Sequence, residues 1–226
     1  MLIKSINGLF FSIFILTLTA CGGESGSGST NTTPTTSTVS GNIQKGPFVS
    51  ISLMTAERLN DDGSESGETK DLTANGFNGN GSYQQFNLPW VGWTRLTVTG
   101  RYFNEYTGLN STTEATLSST QNLTGTDDVI NLNLFTTLAN ELLKKKLPFG
   151  AGETLASVQQ NVVDALKLSL GLSSNSVLSS LDLTQKGSNA DNAILLLFSG
   201  AFLKSGDDLG ILVADFEDNA IFDSIE

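Results

Sequence analysis

The chain of 226 residues has no histidine, one cysteine and no block of basic residues, and each absence removes a class of function. Without histidine there is no Ser-His-Asp or Cys-His arrangement, no imidazole general base and no His-containing zinc site. A single cysteine, Cys21, excludes an intrachain disulfide. Twelve Lys and Arg stand against 23 Asp and Glu, a net charge of -11 with the acid spread along the chain, which does not fit a nucleic-acid partner. The one basic cluster, Lys144-Lys145-Lys146, falls at the end of a predicted helix, where cations complement the carbonyl end of the helix dipole. Ser-x-x-Lys, Gly-x-Ser-x-Gly, Gly-x-x-x-x-Gly-Lys and a strand-borne Gly-x-Gly-x-x-Gly are all missing. Catalysis is left with carboxylate pairs, as in glycoside hydrolysis, and so many acids would always offer one. A carboxylate-based hydrolase therefore stands behind the binding readings below, and neither enzyme activity nor a cofactor is expected.

Also missing is an apolar run long enough to cross a bilayer, which takes about 20 residues. Ile6 to Ala20 is shorter and contains Ser12, Thr17 and Thr19. With Lys4 before it and small residues at its end, it has the make-up of a secretory signal peptide. Its close, Leu18-Thr19-Ala20-Cys21, resembles the lipobox of bacterial lipoproteins. The resemblance implies that residues 1–20 are cleaved and that Cys21 becomes the acylated amino terminus, carrying palmitate-type chains. Several chains, each contributing ~0.8 kcal/mol per buried CH₂, hold a protein on a membrane far longer than one. Gly22, in place of the Asp that favours inner-membrane retention in such lipoproteins, implies the outer membrane, facing the periplasm or the cell surface.

What is present divides the remaining chain of about 206 residues, enough for one large or two small domains. Residues 21–37 are rich in Gly, Ser and Thr and read as a flexible tether spanning roughly 20 to 25 Å. From 38 to 135 the pattern has a period of two: Val49, Ile51 and Leu53, then Leu96 and Val98, then Ile130, Leu132 and Leu134 alternate with polar residues. With shorter runs at Val39 to Ile43, Tyr83 to Leu88 and Thr113 to Leu117, this predicts six or seven antiparallel strands in a sandwich. Asn60-Asp61-Asp62-Gly63, Asn75-Gly76 and Asn78 to Gly81 supply its turns. From 136 to 226 the period becomes helical. Leu138 to Leu147 opens the bundle, ended by Pro148, and Leu155, Val158, Val162 and Leu166 form a stripe. Ala193 to Phe202, apolar nearly all round, reads as the central buried helix. Leu209, Leu212, Val213, Phe216 and Ala220 form the last stripe, with Ser205 as N-cap and Asp207 and Asp208 at the positive helix end.

Three stretches, Val39 to Phe48 (VSGNIQKGPF), Gly100 to Gly108 (GRYFNEYTG) and Asn192 to Ser199 (NAILLLFS), resemble the amino-terminal region of a group of poorly characterised bacterial surface lipoproteins. The resemblance implies an α+β chain: a carboxypeptidase-regulatory, transthyretin-like (prealbumin-like) β-sandwich followed by a small α-helical bundle. Members often continue into further domains, which leaves room for a longer chain beyond Glu226. The expected role is a non-catalytic structural, adhesive or binding module of the cell envelope, or a carbohydrate- or peptide-binding accessory. Partners would be the membrane, through the anchor, and a glycan or an envelope protein.

Residues for ligand contact are Trp90, Trp93, Tyr102 and Tyr106. Two indoles in Leu88-Pro89-Trp90-Val91-Gly92-Trp93 suit a platform for sugar rings or a partner surface, or else one of them plugs the core. No metal site is expected. Asn60 to Thr69 fails as an EF-hand loop, since aligning Gly63 with the turn glycine puts Arg58 at the first ligand position. Asp215, Glu217, Asp218 and Asp223 offer oxygens but no fixed geometry for calcium, and read rather as the solvated face of the last helix.

Overall fold

The computed structural model describes residues 36–74, 76–104, 107–125, 127–183, 189–205 and 209–219. The expected signal peptide, Cys21, most of the tether, Asn75, Tyr106, Asp207, Asp208, Ala220 and Asp223 lie outside them. The chain is mixed α+β. Its strands are β1 (Ser37–Gln44), β2 (Phe48–Leu59), β3 (Glu65–Asp71), β4 (Ser82–Leu88), β5 (Gly92–Asn104), β6 (Leu109–Asn110), β7 (Ala115–Leu123), β8 (Asp128–Val129) and β9 (Leu132–Asn133). The helices follow as α1 (Leu134–Lys145), α2 (Leu155–Leu170), α3 (Ala190–Ser205) and α4 (Leu209–Asn219), with a 3₁₀ turn at Leu178–Ser180.

Two open sheets carry the strands. In the first, β1 lies between antiparallel β4 and parallel β8, and its far end pairs with β9. In the second, antiparallel β3, β2, β5 and β7 run in that order, with β6 on the end of β5. Val39, Ile43 and Phe86 of the first sheet share one apolar cluster with Met54, Leu96, Val98 and Leu117 of the second. Burial of such side chains stabilises by about 1.5 to 3 kcal/mol each, so this cluster fixes how the sheets face. The chain turns between β1 and β2 at Lys45-Gly46, one residue earlier than Gly46-Pro47, and Pro47 is bridged back to Gln44.

The alternation in β2 does not run as its sequence reads. Val49 and Ile51 are half-buried and Leu53 is exposed, while Phe48, Met54, Ala56 and Leu59 are the buried residues. Register shifts at Phe48/Ser50 and Ile51/Leu53 are the reason, because an irregularity exchanges which residues face the core. Gly100, opposite Ile51, makes room for this: a Cβ there would lie 2.1 Å from the Ser50 carbonyl oxygen. β3 was not in the expected set. Its sequence Glu-Ser-Gly-Glu-Thr-Lys-Asp buries nothing, and such a charged strand suits a sheet edge.

The tight turn between β2 and β3 is held by Asp62, whose carboxylate accepts from the Ser64 hydroxyl at 2.6 Å and the Ser64 N–H at 2.9 Å. These bonds keep its pKa below the usual carboxylate value. Leu155 N–H, at the start of α2, donates to the Asp61 carbonyl at 2.6 Å, so this turn also seats the helical layer.

β9 runs directly into α1. Asn133 is the N-cap, its side chain accepting from Thr136 N–H at 2.9 Å, and Thr136 Oγ1 accepts the Asn133 N–H in return. α2 repeats the device with Thr154 and Ser157 and ends at Gly171, whose φ of 66° suits a residue without Cβ. Leu155, Val158, Val162 and Leu166 are buried as the stripe predicts, and so are Leu212, Val213 and Phe216 of α4. They join residues of α1 and Leu59 of β2 in a second apolar cluster. Ser205 ends α3.

α3 differs from the expectation of a helix buried all round. Leu195, Ser199 and Phe202 face inward, but Leu196 is exposed and Leu197 is 73% exposed. Asp191 is buried and accepts from Ser173 N–H at 3.1 Å, which pins the first turn of α3 to the chain after α2.

All described residues belong to one compact unit, and strand gives way to helix within it at Asn133/Leu134, two residues before the expected boundary at 135/136. A polar seam joins the layers. Asn131 and Asn133, expected to face water, are buried: Asn131 Nδ2 donates to the Leu181 carbonyl at 3.1 Å and Asn133 Nδ2 to the Leu178 carbonyl at 2.8 Å. Asp182 accepts from Gln44 Nε2 at 2.5 Å and Asn42 Nδ2 at 3.1 Å, while Leu183 N–H donates to Gln44 Oε1 at 2.9 Å. Buried polar groups demand such partners, and here each partner comes from across the seam.

Candidate functional site

The two tryptophans part company. Trp90 is 3% exposed within the apolar cluster between the sheets. Its indole N–H donates to Thr94 Oγ1 at 2.9 Å and its carbonyl accepts from Ser37 Oγ at 2.8 Å. A paired platform of exposed indoles is thereby replaced by the other sequence reading, in which one Trp fills the core. Trp93, at the start of β5, packs instead against the helical cluster and is half-buried.

Trp93 lines a groove of about 320 Å³ between the end of the second sheet and α2. Gln121 of β7, Ala156, Gln159, Gln160, Val163 and Lys167 of α2, and Ser176 to Leu178 complete it. Trp93 is set by its pairing with Asn122, and the α2 residues by the capped start and apolar stripe of their helix. Gln159 Nε2 donates to the Thr120 carbonyl at 2.5 Å, Gln160 Nε2 to Asp164 at 2.8 Å, and Lys167 Nζ to the Ser174 carbonyl at 3.1 Å. Ser176 is 8% exposed, and among the described residues its hydroxyl has no hydrogen-bond partner.

Beside the groove the edge of β7 is closed by side chains. Thr137 Oγ1 of α1 accepts from Ser118 N–H at 3.0 Å, Asn140 Nδ2 donates to Ser118 Oγ at 2.8 Å, and Asn140 Oδ1 accepts from Thr120 Oγ1 at 2.7 Å. Helix side chains thus take the place of a further strand.

Tyr102 is also buried, which removes it from the exposed ligand-contact set. It stands against Lys45, whose ammonium lies 4.4 Å from the ring centroid and donates to the phenol oxygen at 3.3 Å. Lys45 is itself buried, its carbonyl accepting from Ser199 Oγ of α3 at 2.7 Å, and it lines a second groove of about 370 Å³ with Glu114, Thr137 and Phe202. Tyr106 lies outside the described residues.

Sequence reasoning missed Lys45, Gln159, Gln160 and Ser176. Only Lys45 had a signal, its place in Gln44-Lys45-Gly46-Pro47; the others sit on the polar side of a helix or in a loop, where nothing local distinguishes them. Among the described residues no three His, Cys, Asp or Glu gather so as to hold a metal ion, and no helix is long and apolar enough to cross a membrane. Asp215 is buried; the side chains of Glu217 and Asp218 lie outside the described set.

Fold and groove together define the class as a mixed α+β protein with an aromatic cleft between its sheet and helical layers. Comparison with known protein families, with curated proteins and with solved structures finds no match.

Proposed function

We propose that this chain is a bacterial lipoprotein, held at the cell envelope through an acylated Cys21, whose folded part is a non-catalytic binding module. The two facing sheets are read as a prealbumin-like sandwich of the carboxypeptidase-regulatory type, and α1 to α4 as the bundle that follows it. The observation that carries the binding role is the groove at Trp93: an aromatic side chain backed by the helical cluster and surrounded by amide side chains on two fixed elements. Sites of this make-up, apolar with a few placed polar groups at the meeting of two layers, are characteristic of ligand binding. The lipobox at Leu18 to Cys21 supports the anchor, and Gly22 supports the outer membrane as the destination.

Metabolic labelling with palmitate in a bacterial host tests the reading. The wild-type chain is expected to take up label and fractionate with the envelope, and Cys21→Ser to take up none. An unlabelled wild type, or equal labelling of both, would refute it.

A further inference from the structure

We infer that the groove at Trp93 is a saccharide site that takes one neutral pyranose ring of a glycan, with the C–H face of the ring on the indole and its hydroxyls on the amides and on Ser176. The inference rests on the reading of the folded part as a binding module and adds the class of ligand.

Four observations converge. The first is Ser176, a residue more than nine-tenths buried whose hydroxyl has no partner among the described residues. A buried hydroxyl left unsatisfied is costly, and an alcohol group of a ligand, at once donor and acceptor, matches it. The second is the lining. Trp93, Val163 and Val177 offer apolar surface beside Gln121, Gln159 and Gln160, the combination that suits a ring with an apolar face and a polar rim. Gln159 and Gln160 each use an amide N–H on the protein, and among the described residues their amide oxygens have no protein partner. The third is charge. Lys167, the one cation of the lining, already donates to the Ser174 carbonyl and lies 3.9 Å from Asp164, and the chain carries -11 overall, so a neutral sugar is favoured over an acidic one. The fourth is size: about 320 Å³ lies at the low end of the roughly 300 to 1,000 Å³ of small-molecule sites, room for one ring and not for a folded partner.

A peptide adding as a strand is disfavoured by the same geometry. The β7 edge at the groove is occupied, Ser118 N–H by Thr137 and the Thr120 carbonyl by Gln159, so no run of backbone groups is open there.

The test is titration of the full chain, in a non-glycosidic detergent, with cello-, malto-, manno-, galacto- and chito-oligosaccharides of four to six units, followed by tryptophan fluorescence and calorimetry. At least one series is expected to bind and to shift the emission. Trp93→Ala should weaken that binding by roughly tenfold or more, and Ser176→Ala by about threefold to tenfold, in line with loss of one ring contact and one hydrogen bond. Trp93→Phe, which keeps the apolar face, should retain part of the affinity and guards against a variant that fails to fold. Binding by none of the five series, or binding that both the Trp93→Ala and Ser176→Ala chains retain in full, would overturn the inference. Palmitate labelling separates the two claims: a labelled chain that binds no sugar loses the saccharide site and keeps the anchor, and an unlabelled chain that binds sugar does the reverse.

Discussion

Burial decides what single residues do here, and the local sequence does not always announce it. Trp90 and Trp93 share one short segment, yet one fills the cluster between the sheets and the other borders the helices. Nothing in Leu88 to Trp93 says where the strand begins, and β5 starting at Gly92 is what separates the two indoles. Tyr83 gives the clearest consequence of burial. Its hydroxyl donates to the Ile130 carbonyl at 2.5 Å within the apolar cluster, and loss of water around the ring pushes its pKa far above the ordinary 10.0. The folded pKa is raised, so this contribution to stability is complete below pH 10 and is lost as pH rises beyond it, by about 1.4 kcal/mol per pH unit. Denaturant titrations between pH 8 and 11.5 should show stability falling above pH 10. Tyr83→Phe should cost about 1 kcal/mol at pH 7 and flatten that fall. An equal slope in the two proteins would show that the Tyr83 phenol is not the group responsible.

At the scale of elements, periodicity located most strands and helices but misassigned some faces. The stripe of α2 is buried as read, because a helix with one apolar side has one way to pack. β2 fails where register shifts interrupt it, and no alternation rule foresees a bulge formed against Gly100. Asn131 and Asn133 look solvent-facing in sequence because their partners, the carbonyls of Leu178 and Leu181, lie some 45 residues or more away. α3 is apolar on nearly every side, so its pattern could not say which side is buried. The structure answers with Leu195 inward, 0% exposed, and Leu197 outward. Leu195→Ala should therefore cost about 2 to 5 kcal/mol, while Leu197→Lys should change stability by no more than about 0.5 kcal/mol. Urea unfolding of both variants checks this, and comparable losses would mean that α3 is turned the other way.

For the whole molecule, the sequence announced the order of strands then helices, whereas the way the layers depend on one another was not legible. Thr137, Asn140 and Gln159 close the edge of β7, and Asp182 with Gln44 ties the loop before α3 to β1. Residues 36–226 are accordingly expected to fold and stay monodisperse without their amino-terminal segment. Residues 36–133, deprived of the helices, should aggregate through the uncovered strand edge. Size-exclusion chromatography of the two pieces distinguishes these outcomes, and a monodisperse shorter piece would show that the sheets need no helical cover. One compact folded unit is also what the proposed anchored binding module requires.

The anchor is the claim on which that picture depends, and intact mass of the chain extracted from the bacterial envelope tests it most directly. A mass that begins at Cys21 and carries acyl chains is the predicted result; a chain that retains Met1 to Ala20, or begins at Cys21 without lipid, would contradict it.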